Sequence, residues 1–306
     1  MDVLTENPPF IFDTLAVVGV GLIGSSVLRR ARAGHGLAQR LIAVDSNPEV
    51  CQRVRALHIA DDITTDVAEA AQKADCVMIC VPVGKIGEIA AQALPVMRAG
   101  TVLTDVGSTK VSVIEAVRPF LHHYHIAQNI AYVPAHPMAG TEFSGPDAGL
   151  ANLFENRWCL LTPLENTPSE AVNAIRLFWQ RCGAHVREMT PEYHDRVCAI
   201  VSHLPHLLAF TICGTADDLA EETRSQVLDF AASGFRDFTR IAASDPIMWR
   251  DIFLANKKAL LEMFDRFMAS AEMMAKAIYE EDTAYIVDRI QRGREIRKRL
   301  IENQQA

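Results

Sequence analysis

The sequence has few of the features that mark secreted, membrane or nucleic-acid-binding proteins. Its 306 residues hold 30 Lys and Arg against 38 Asp and Glu, and this net charge of −8 gives no general attraction to phosphate backbones. No run approaches the ~20 consecutive apolar residues that cross a bilayer, and the first dozen residues lack the basic start and apolar core of a signal peptide. The seven cysteines include no C-x-x-C pair, as is usual for reduced thiols. These absences predict a cytoplasmic protein without a nucleic-acid or membrane partner.

The order of apolar segments predicts two kinds of architecture in one chain. In the first half, short β-rich runs alternate with helix-like segments, a pattern typical of βαβ units and a parallel sheet. From about Thr190 onward there is almost no β-rich run, and scattered Pro and Gly interrupt an otherwise helical composition. The predicted strands are Leu15–Val18, Leu41–Val44, Cys76–Val81 and Thr101–Asp105, with weaker candidates at Ala131–Pro134 and Trp158–Thr162.

A glycine-rich turn follows the first predicted strand and opens a predicted helix. In the segment GVGLIG, Gly19 permits the tight turn, Gly21 lets the backbone approach a pyrophosphate, and Gly24 allows the helix to pack closely on the strand. Leu22 and Ile23 lie in the first helical turn, where free N–H groups and the positive helix dipole favour an anion. This context predicts a Rossmann-type dinucleotide-binding domain over residues 1–185, followed by an all-helical domain over 186–306, hence an α/β plus all-α fold.

Asp45 predicts which dinucleotide is bound. It ends the second predicted strand, 21 residues after Gly24, where a carboxylate accepts hydrogen bonds from the adenosine ribose. The same charge repels a 2′-phosphate, and Ser46 and Asn47 offer no Arg to bind one. The sequence therefore favours NAD over NADP as the cofactor. It also favours a dinucleotide-binding loop over a glycine turn that binds no ligand.

Two further segments carry more polar residues than packing requires. Asp105-Val-Gly-Ser-Thr-Lys110 follows a predicted strand, and so does the segment PAHPMAGTE, which contains His136 before Pro137. The carboxyl ends of strands form the ligand crevice of an open α/β sheet. Ser108 and His136 are therefore predicted to face the cofactor, although an isolated His more often has a structural role.

The helical half offers weaker candidates. His203 and His206 are three residues apart and could share a helix face, but no carboxylate or Cys at matching spacing completes a metal site. The cluster His122–His125 is equally weak, and we predict no metal. Arg236 and Arg240 either pair with Asp237 or anchor an acidic substrate.

Taken in order, five motifs resemble the prephenate/arogenate (cyclohexadienyl) dehydrogenases of tyrosine biosynthesis. They are GVGLIGSS, DVGSTK, HPMAGTE, SHLPH and SGFRDFTRIAxSDPxxWRDI, and the resemblance spans about residues 14 to 280. It implies an NAD-dependent oxidative decarboxylation, with a dinucleotide-binding domain followed by a helical dimerisation domain. One departure is Ser233, where some relatives have a second glycine.

The resemblance also implies roles for individual residues. His136 accepts a hydrogen bond from the ring hydroxyl of the substrate, and Ser108 bridges this histidine, the substrate and the nicotinamide. Arg240 binds a substrate carboxylate, and His206 lies in the substrate pocket. The motifs place Thr141 and Trp249 among the substrate-binding residues as well.

Two other functions compete with this interpretation. A β-hydroxyacid dehydrogenase shares the layout but relies on a lysine of the helical half, and no motif of that family surrounds Lys257 or Lys258. A non-catalytic NAD-binding protein would need the glycine loop but would have no use for Ser108, His136 and Arg240 together.

The last part of the chain predicts an oligomer. Between Leu260 and Ile278 the apolar positions form a stripe wider than the ~100° face that a surface helix normally buries. The sequence therefore predicts a homodimer, and the alternative is a central helix buried within one helical domain.

Overall fold

The first part of the chain forms one eight-stranded sheet. In this computed structural model the described residues are 10–141, 143–218 and 231–302, with side chains described outside 122–128. The strands are β1 (Phe12–Val18), β2 (Ala38–Val44), β3 (Asp62–Thr64), β4 (Cys76–Ile79), β5 (Val102–Asp105), β6 (Ala131–Pro137), β7 (Trp158–Leu161) and β8 (His185–Glu188). The predicted alternation of strands and helices is confirmed. The short strands β3 and β8 were not predicted, because neither contains an apolar run.

The strand order is β3-β2-β1-β4-β5-β6-β7-β8. The pairs from β3 to β6 are parallel, β7 runs antiparallel to β6, and β8 is parallel to β7. The first six strands therefore have the doubly wound order of a dinucleotide-binding domain, with the reversal between β1 and β4. Because these strands are parallel, the segments that follow β1, β2, β5 and β6 meet along one edge of the sheet.

Helices cover both faces of the sheet, and each face has its own apolar core. On one face Val27 and Leu28 of the first helix pack with Phe178 and Trp179 of the sixth. On the other face buried residues of the third, fourth and fifth helices, such as Ala70, Ala90 and Val117, pack against Val77 and Ile79 of β4. Burial on both faces explains why β4 is apolar at every position.

Four of the helices begin at residues that the sequence marks as caps. The side chains of Asn47, Asp66, Thr190 and Asp245 each accept a backbone N–H of the helix that follows. The helices are α1 (Leu22–Arg32), α2 (Pro48–Leu57), α3 (Val67–Lys73), α4 (Ile86–Ala93), α5 (Val111–Gln128), α6 (Ser169–Arg181), α7 (Pro191–Cys198), α8 (Leu204–Asp217), α9 (Ser233–Thr239), α10 (Pro246–Ala255), α11 (Lys257–Tyr279) and α12 (Thr283–Glu302).

Helices α7 and α8 form one continuous run, joined by a π-helical turn at Ala199–His203. By length and composition alone this run, Pro191–Asp217, could cross a membrane. It also carries His194 and Asp195, which are buried and hydrogen-bonded within the domain. One such helix is weak evidence for a membrane span, since length and composition alone pass the test.

The chain divides into two compact units, Met1–Lys257 and Lys258–Ala306. The first contains the sheet and the helices through α10. The second contains nearly all of α11 together with α12, and many of its large apolar side chains are exposed, including Phe267, Met273 and Ile278. The boundary predicted at residue 185 marks the change from sheet to helix in the sequence, and it stays a prediction.

Candidate active site

The glycine loop has the backbone that a pyrophosphate site requires. Gly19 has a φ of +94°, and a Cβ there would lie 2.8 Å from the carbonyl oxygen of Cys80. A Cβ on Gly24 would lie 2.0 Å from the carbonyl oxygen of Gly19, so only glycine permits this contact between helix and strand. A Cβ on Gly21 would meet nothing within 4 Å. The loop therefore packs tightly against the protein at Gly19 and Gly24 and leaves open space at Gly21. Gly21 adjoins Leu22 and Ile23 in the first turn of α1, whose N-terminus has no side-chain cap.

Asp45 lies at the carboxyl end of β2, next to this loop. Its Oδ2 accepts the backbone N–H of Val20 at 2.9 Å, and its Oδ1 accepts the backbone N–H of Asn47 at 3.0 Å. Each carboxylate oxygen can accept a further hydrogen bond, and the residue is only half-buried. The side chain thus fixes the glycine loop and keeps acceptors for ribose hydroxyls, so the residues present fit a dinucleotide.

The loop after β5 is built on a buried ion pair. Lys110 is fully buried, and its Nζ donates to Asp105 Oδ2 and, at 2.7 Å, to the carbonyl oxygen of Ala135. Asp105 also accepts the Tyr132 hydroxyl at 2.8 Å through Oδ1. This network ties the loop to β6 directly before His136. Ser108 is half-buried in the loop, and among the described residues its hydroxyl has no hydrogen-bond partner, so it is free to bind a ligand.

His136 lies near the end of β6, where its backbone pairs with Leu160 of β7. The sequence placed it just past the strand, but the antiparallel ladder with β7 extends β6 through Pro137. Among the described residues its side chain forms no hydrogen bond with Ser108. Instead, its Nδ1 lies 2.8 Å from Nε2 of His194 in α7, and His194 Nδ1 lies 2.8 Å from Oδ1 of Asp195.

Asp195 gives this chain of hydrogen bonds a fixed end. Its two oxygens accept the backbone N–H groups of Lys110 and Val111 at 2.7 and 3.0 Å, at the N-terminus of α5. A carboxylate is favoured there because it meets free N–H groups and the positive helix dipole. Asn256, which ends α10, donates to the carbonyl oxygen of Asp195 at 2.8 Å and lies 3.0 Å from Nδ1 of His203.

The hydrogen-bond chain assigns the proton on each ring. A carboxylate only accepts, so His194 donates its Nδ1–H to Asp195 and keeps a lone pair on Nε2. That lone pair accepts the Nδ1–H of His136, which leaves the lone pair of His136 on Nε2. Burial, strengthened by the neighbouring His194 and Lys110, holds the pKa of His136 well below its ordinary value. The ring is therefore neutral at pH 7 and can accept a proton through Nε2.

Cys198 makes the surroundings of His136 a candidate metal centre. Its Sγ lies 3.5 Å from Nε2 of His194 and 3.7 Å from Nδ1 of His136. All three side chains are buried, and their ligand atoms lie within 4.8 Å of one another. The sequence predicts no metal, and spacing could not bring this cluster to notice because His136 and His194 are 58 positions apart.

A second group of predicted residues comes together at α8 and α10. The ring of His206 stacks on the indole of Trp249, with centroids 3.7 Å apart and 22° between the planes. His206 donates its Nδ1–H to the carbonyl oxygen of Ser202 at 2.9 Å and keeps a lone pair on Nε2. Trp249 is buried, and within the described parts of the chain its Nε1–H has no acceptor. An unpaired buried donor is costly.

Arg240 lies at the end of α9, where its side chain is exposed. It lies close enough to His206 to affect its titration. Burial lowers the pKa of His206, and the positive charge of Arg240 lowers it further. In the described part of the chain it forms no ion pair with Asp237, which was the structural alternative. Thr141 is also exposed, and its Oγ1 accepts the backbone N–H of Phe143 at 3.3 Å.

Several functional candidates were missed in the sequence. His194 and Asp195 lie in EYHDRV, upstream of the SHLPH motif, and nothing in their local spacing points to His136. Lys110 was within a motif already singled out, and its position next to a strand end was the available signal. The side chains of His122–His125, and Glu142 of the HPMAGTE segment, lie outside the described residues.

Comparison with known proteins identifies the family of the chain. Residues 28–188 match the family model described as "Prephenate dehydrogenase, nucleotide-binding domain", and residues 190–292 match "Prephenate dehydrogenase, dimerization domain". The cyclohexadienyl dehydrogenase of Zymomonas mobilis is 37% identical over 290 residues, which cover 95% of this chain and 97% of that protein.

A solved structure shows the same arrangement of the backbone. It is the prephenate dehydrogenase from A. aeolicus in complex with hydroxyphenyl propionate and NAD+, with a TM-score of 0.86 and 33% identity. The alignment covers 94% of this chain and 98% of that one. This chain belongs to the prephenate dehydrogenase family.

Proposed function

We propose that this protein catalyses the NAD-dependent oxidative decarboxylation of prephenate, of arogenate, or of both, with His136 as the acceptor of the ring-hydroxyl proton. The observation that carries the proposal is the free lone pair on His136 Nε2, fixed by the chain from Asp195 through His194. Its strand ends on the same edge of the sheet as the glycine loop. Three strand spacings, about 14 Å at ~4.8 Å each, separate β1 from β6.

The cofactor site fits NAD by its shape and its charge. The open backbone at Gly21 and the uncapped N-terminus of α1 bind the pyrophosphate, and Asp45 accepts the ribose hydroxyls. Bound NAD supplies the hydride acceptor. Ser108 lies between the strand ends of β4 and β6, where its hydroxyl orients the substrate and the nicotinamide.

His136 acts on the hydroxyl of the substrate ring. As the C–H bond of that carbon breaks, its hydroxyl becomes more acidic, and Nε2 of His136 accepts the hydroxyl proton. The ring carboxylate leaves as CO2, and the ring becomes aromatic, which supplies the driving force. The His194 ring stabilises the proton on His136 by accepting its Nδ1–H, so His194 acts through His136 and is a positioning residue.

The residues of the helical half hold the acidic substrate. Trp249 offers its unpaired Nε1–H, His206 its Nε2 lone pair, and Arg240 a planar cation that can bind a carboxylate through two parallel hydrogen bonds. Thr141 adds a hydroxyl from the loop after β6. In a chain with a net charge of −8, such a local cation is needed to attract a substrate with two carboxylates.

We also propose that the enzyme is a cytoplasmic homodimer formed through the Lys258–Ala306 unit. Its apolar side chains are exposed in the single chain, with Phe267 37%, Met273 56% and Ile278 62% accessible. Such a surface is typical of a protein interface. The seven cysteines are free thiols, which suits a reducing compartment. Light scattering at low micromolar concentration should give the mass of a dimer, and a monomeric mass would refute it.

The turnover of prephenate with NAD tests the proposed function. NADH formation is followed by absorbance at ~340 nm while CO2 release is measured in the same sample. Arogenate and NADP are tested in parallel. We expect NADH and CO2 in equal amounts and a strong preference for NAD. A protein that binds NAD but oxidises neither substrate would be a non-catalytic NAD-binding protein.

A further inference from the structure

His136, His194 and Cys198 present three metal-ligand atoms in the geometry of a zinc site. Zinc binds nitrogen at ~2.0–2.1 Å and thiolate sulfur at ~2.3 Å, so a tetrahedral site has S···N edges of about 3.6 Å and an N···N edge of about 3.3 Å. The S···N distances here are 3.5 and 3.7 Å. The N···N distance is 2.8 Å because a proton joins the two rings, about 0.5 Å shorter than that edge. The two nitrogens face each other along this hydrogen bond, so both rings must turn as well as separate for one ion to bind them.

The surroundings of these three side chains also fit a divalent cation. Asp195 holds Nδ1–H of His194, and a carboxylate behind a ligating histidine is the usual outer shell of a zinc site. One thiolate and the Asp195 carboxylate balance two positive charges, while the nearby Lys110 is already paired with Asp105. Three protein ligands leave a fourth position for water, as in sites that exchange their metal.

We propose that His136, His194 and Cys198 form an inhibitory site for a thiophilic divalent cation, with Zn²⁺ as the representative ion. The inhibition rests on the proposed function, since it acts through the proton-accepting role of His136. The binding itself does not depend on that function.

Zinc binding releases one proton to solvent and moves a second proton within the site. Zinc displaces the thiol proton of Cys198, which leaves to solvent, and a Zn–S bond forms. Zinc also takes the Nδ1 lone-pair position of His136, so the single ring proton of this neutral histidine moves from Nδ1 to Nε2. His194 already has its lone pair on Nε2 and changes no proton. In the metal-bound form Nε2 of His136 is a donor, so it can no longer accept the proton of the substrate.

The proposal predicts a pH dependence. Zinc binds the thiolate, and a cysteine thiol is protonated below its ordinary pKa of ~8.5. One thiol proton is released for each zinc bound, so the apparent affinity should rise about tenfold per pH unit between pH 6.5 and 8.

The test combines a binding measurement with an activity measurement. Chelator-treated enzyme is first assayed with NAD and prephenate, then titrated with Zn²⁺ by calorimetry and with Co²⁺ by absorption spectroscopy. We expect one tight site for each chain, a thiolate-to-cobalt charge-transfer band, and inhibition that a chelator reverses. In Cys198→Ser and Cys198→Ala the half-inhibiting zinc concentration should rise at least tenfold while metal-free activity is retained. Cys213→Ser is the matched control, since Cys213 is a half-buried cysteine of α8 outside the cluster.

The outcomes separate the site from the proposed function. Equal inhibition of wild type and both Cys198 variants would overturn the proposal, as would calorimetry that detects no zinc binding. If the metal-free enzyme has no dehydrogenase activity, the proposed function fails, and the cobalt band in wild type and Cys198→Ser still decides whether the site exists. Melting temperatures of the two variants, compared with Cys213→Ser, show whether each has folded.

Discussion

At the residue scale, the central feature is the control of one proton on His136. The ring lies at a strand end, but its tautomer is set by His194 and Asp195 from a helix 58 residues away in sequence. Asp195 is held in turn by two backbone N–H groups of α5. Because every partner of this chain is buried and hydrogen-bonded, the lone pair on Nε2 of His136 is present before the substrate binds.

The first prediction tests this control through His194. In His194→Leu the Nδ1–H of His136 loses its acceptor, so the ring should populate both tautomers, and kcat should fall at least about tenfold. ¹⁵N NMR of the histidine rings reports the tautomer directly, with wild-type His136 showing an unprotonated Nε2. His194→Gln keeps an acceptor oxygen and should recover part of the rate. A normal kcat in His194→Leu, or an Nε2–H signal in the wild type, would contradict the assignment.

The second prediction concerns Arg240. Its exposed side chain has no ion pair with Asp237, so its loss should leave the melting temperature unchanged. If Arg240 binds a substrate carboxylate, Arg240→Gln costs on the order of 2 kcal/mol or more in ground state and transition state alike. The KM for prephenate should then rise at least about thirtyfold with little change in kcat.

Arg236→Gln, one helical turn earlier, is the matched control for Arg240→Gln and should leave KM nearly unchanged. An equal rise of KM in both variants would point to a general electrostatic effect of the positive charges on α9. An unchanged KM in Arg240→Gln would remove this residue from the substrate site.

At the scale of elements, the sequence predicted the structures that are formed by residues close together in the chain. The glycine loop, its strand and its helix are contiguous, so the tight turn at Gly19 and the close approach of helix to strand at Gly24 could be predicted from spacing alone. The chain from Asp195 to His136 could not be predicted, because it depends on α7 packing against the N-terminus of α5. The edge strand β8 was missed because it is largely exposed and polar.

The third prediction belongs to the end of β2, where cofactor choice is set. Replacing Asp45 by Ala together with Ser46→Arg removes the charge that repels a 2′-phosphate and adds a cation that binds it, so the ratio of kcat/KM for NAD to that for NADP should invert. Asp45→Asn is the control, because it keeps an acceptor for the N–H of Val20 but loses the charge. A wild-type enzyme that already prefers NADP would show that this interpretation of Asp45 is wrong.

At the scale of the whole molecule, the folded protein buries several neutral histidines of the candidate active site. Burial lowers the pKa of His136, of His194 and of His203, and for His203 the value is about 4. In the unfolded chain each of them takes up a proton near pH 6.5. The fold therefore depends on keeping these rings neutral, and its stability is linked to pH.

The fourth prediction states the direction of this linkage. Below pH 6.5 the unfolded state binds more protons than the folded state, so the free energy of unfolding should fall as the pH is lowered toward the folded pKa values. Each neutral histidine contributes up to about 1.4 kcal/mol per pH unit. Urea unfolding at pH 7.5, 6.5 and 5.5 measures the slope.

A variant separates this effect from general acid sensitivity. His203→Gln should flatten the dependence of stability on pH by the contribution of one proton. A free energy of unfolding that stays constant from pH 7.5 to 5.5 would show that these rings are not neutral in the folded state.

The most direct test of the account is the steady-state kinetics of His136→Asn with prephenate and NAD. Asn keeps a polar side chain of similar reach but cannot accept the hydroxyl proton as a base. Because this interaction forms mainly in the transition state, we expect kcat to fall by roughly 10²–10⁴-fold with KM for both substrates nearly unchanged. A His136→Asn enzyme with near-normal kcat would contradict the assignment of His136 as the proton acceptor.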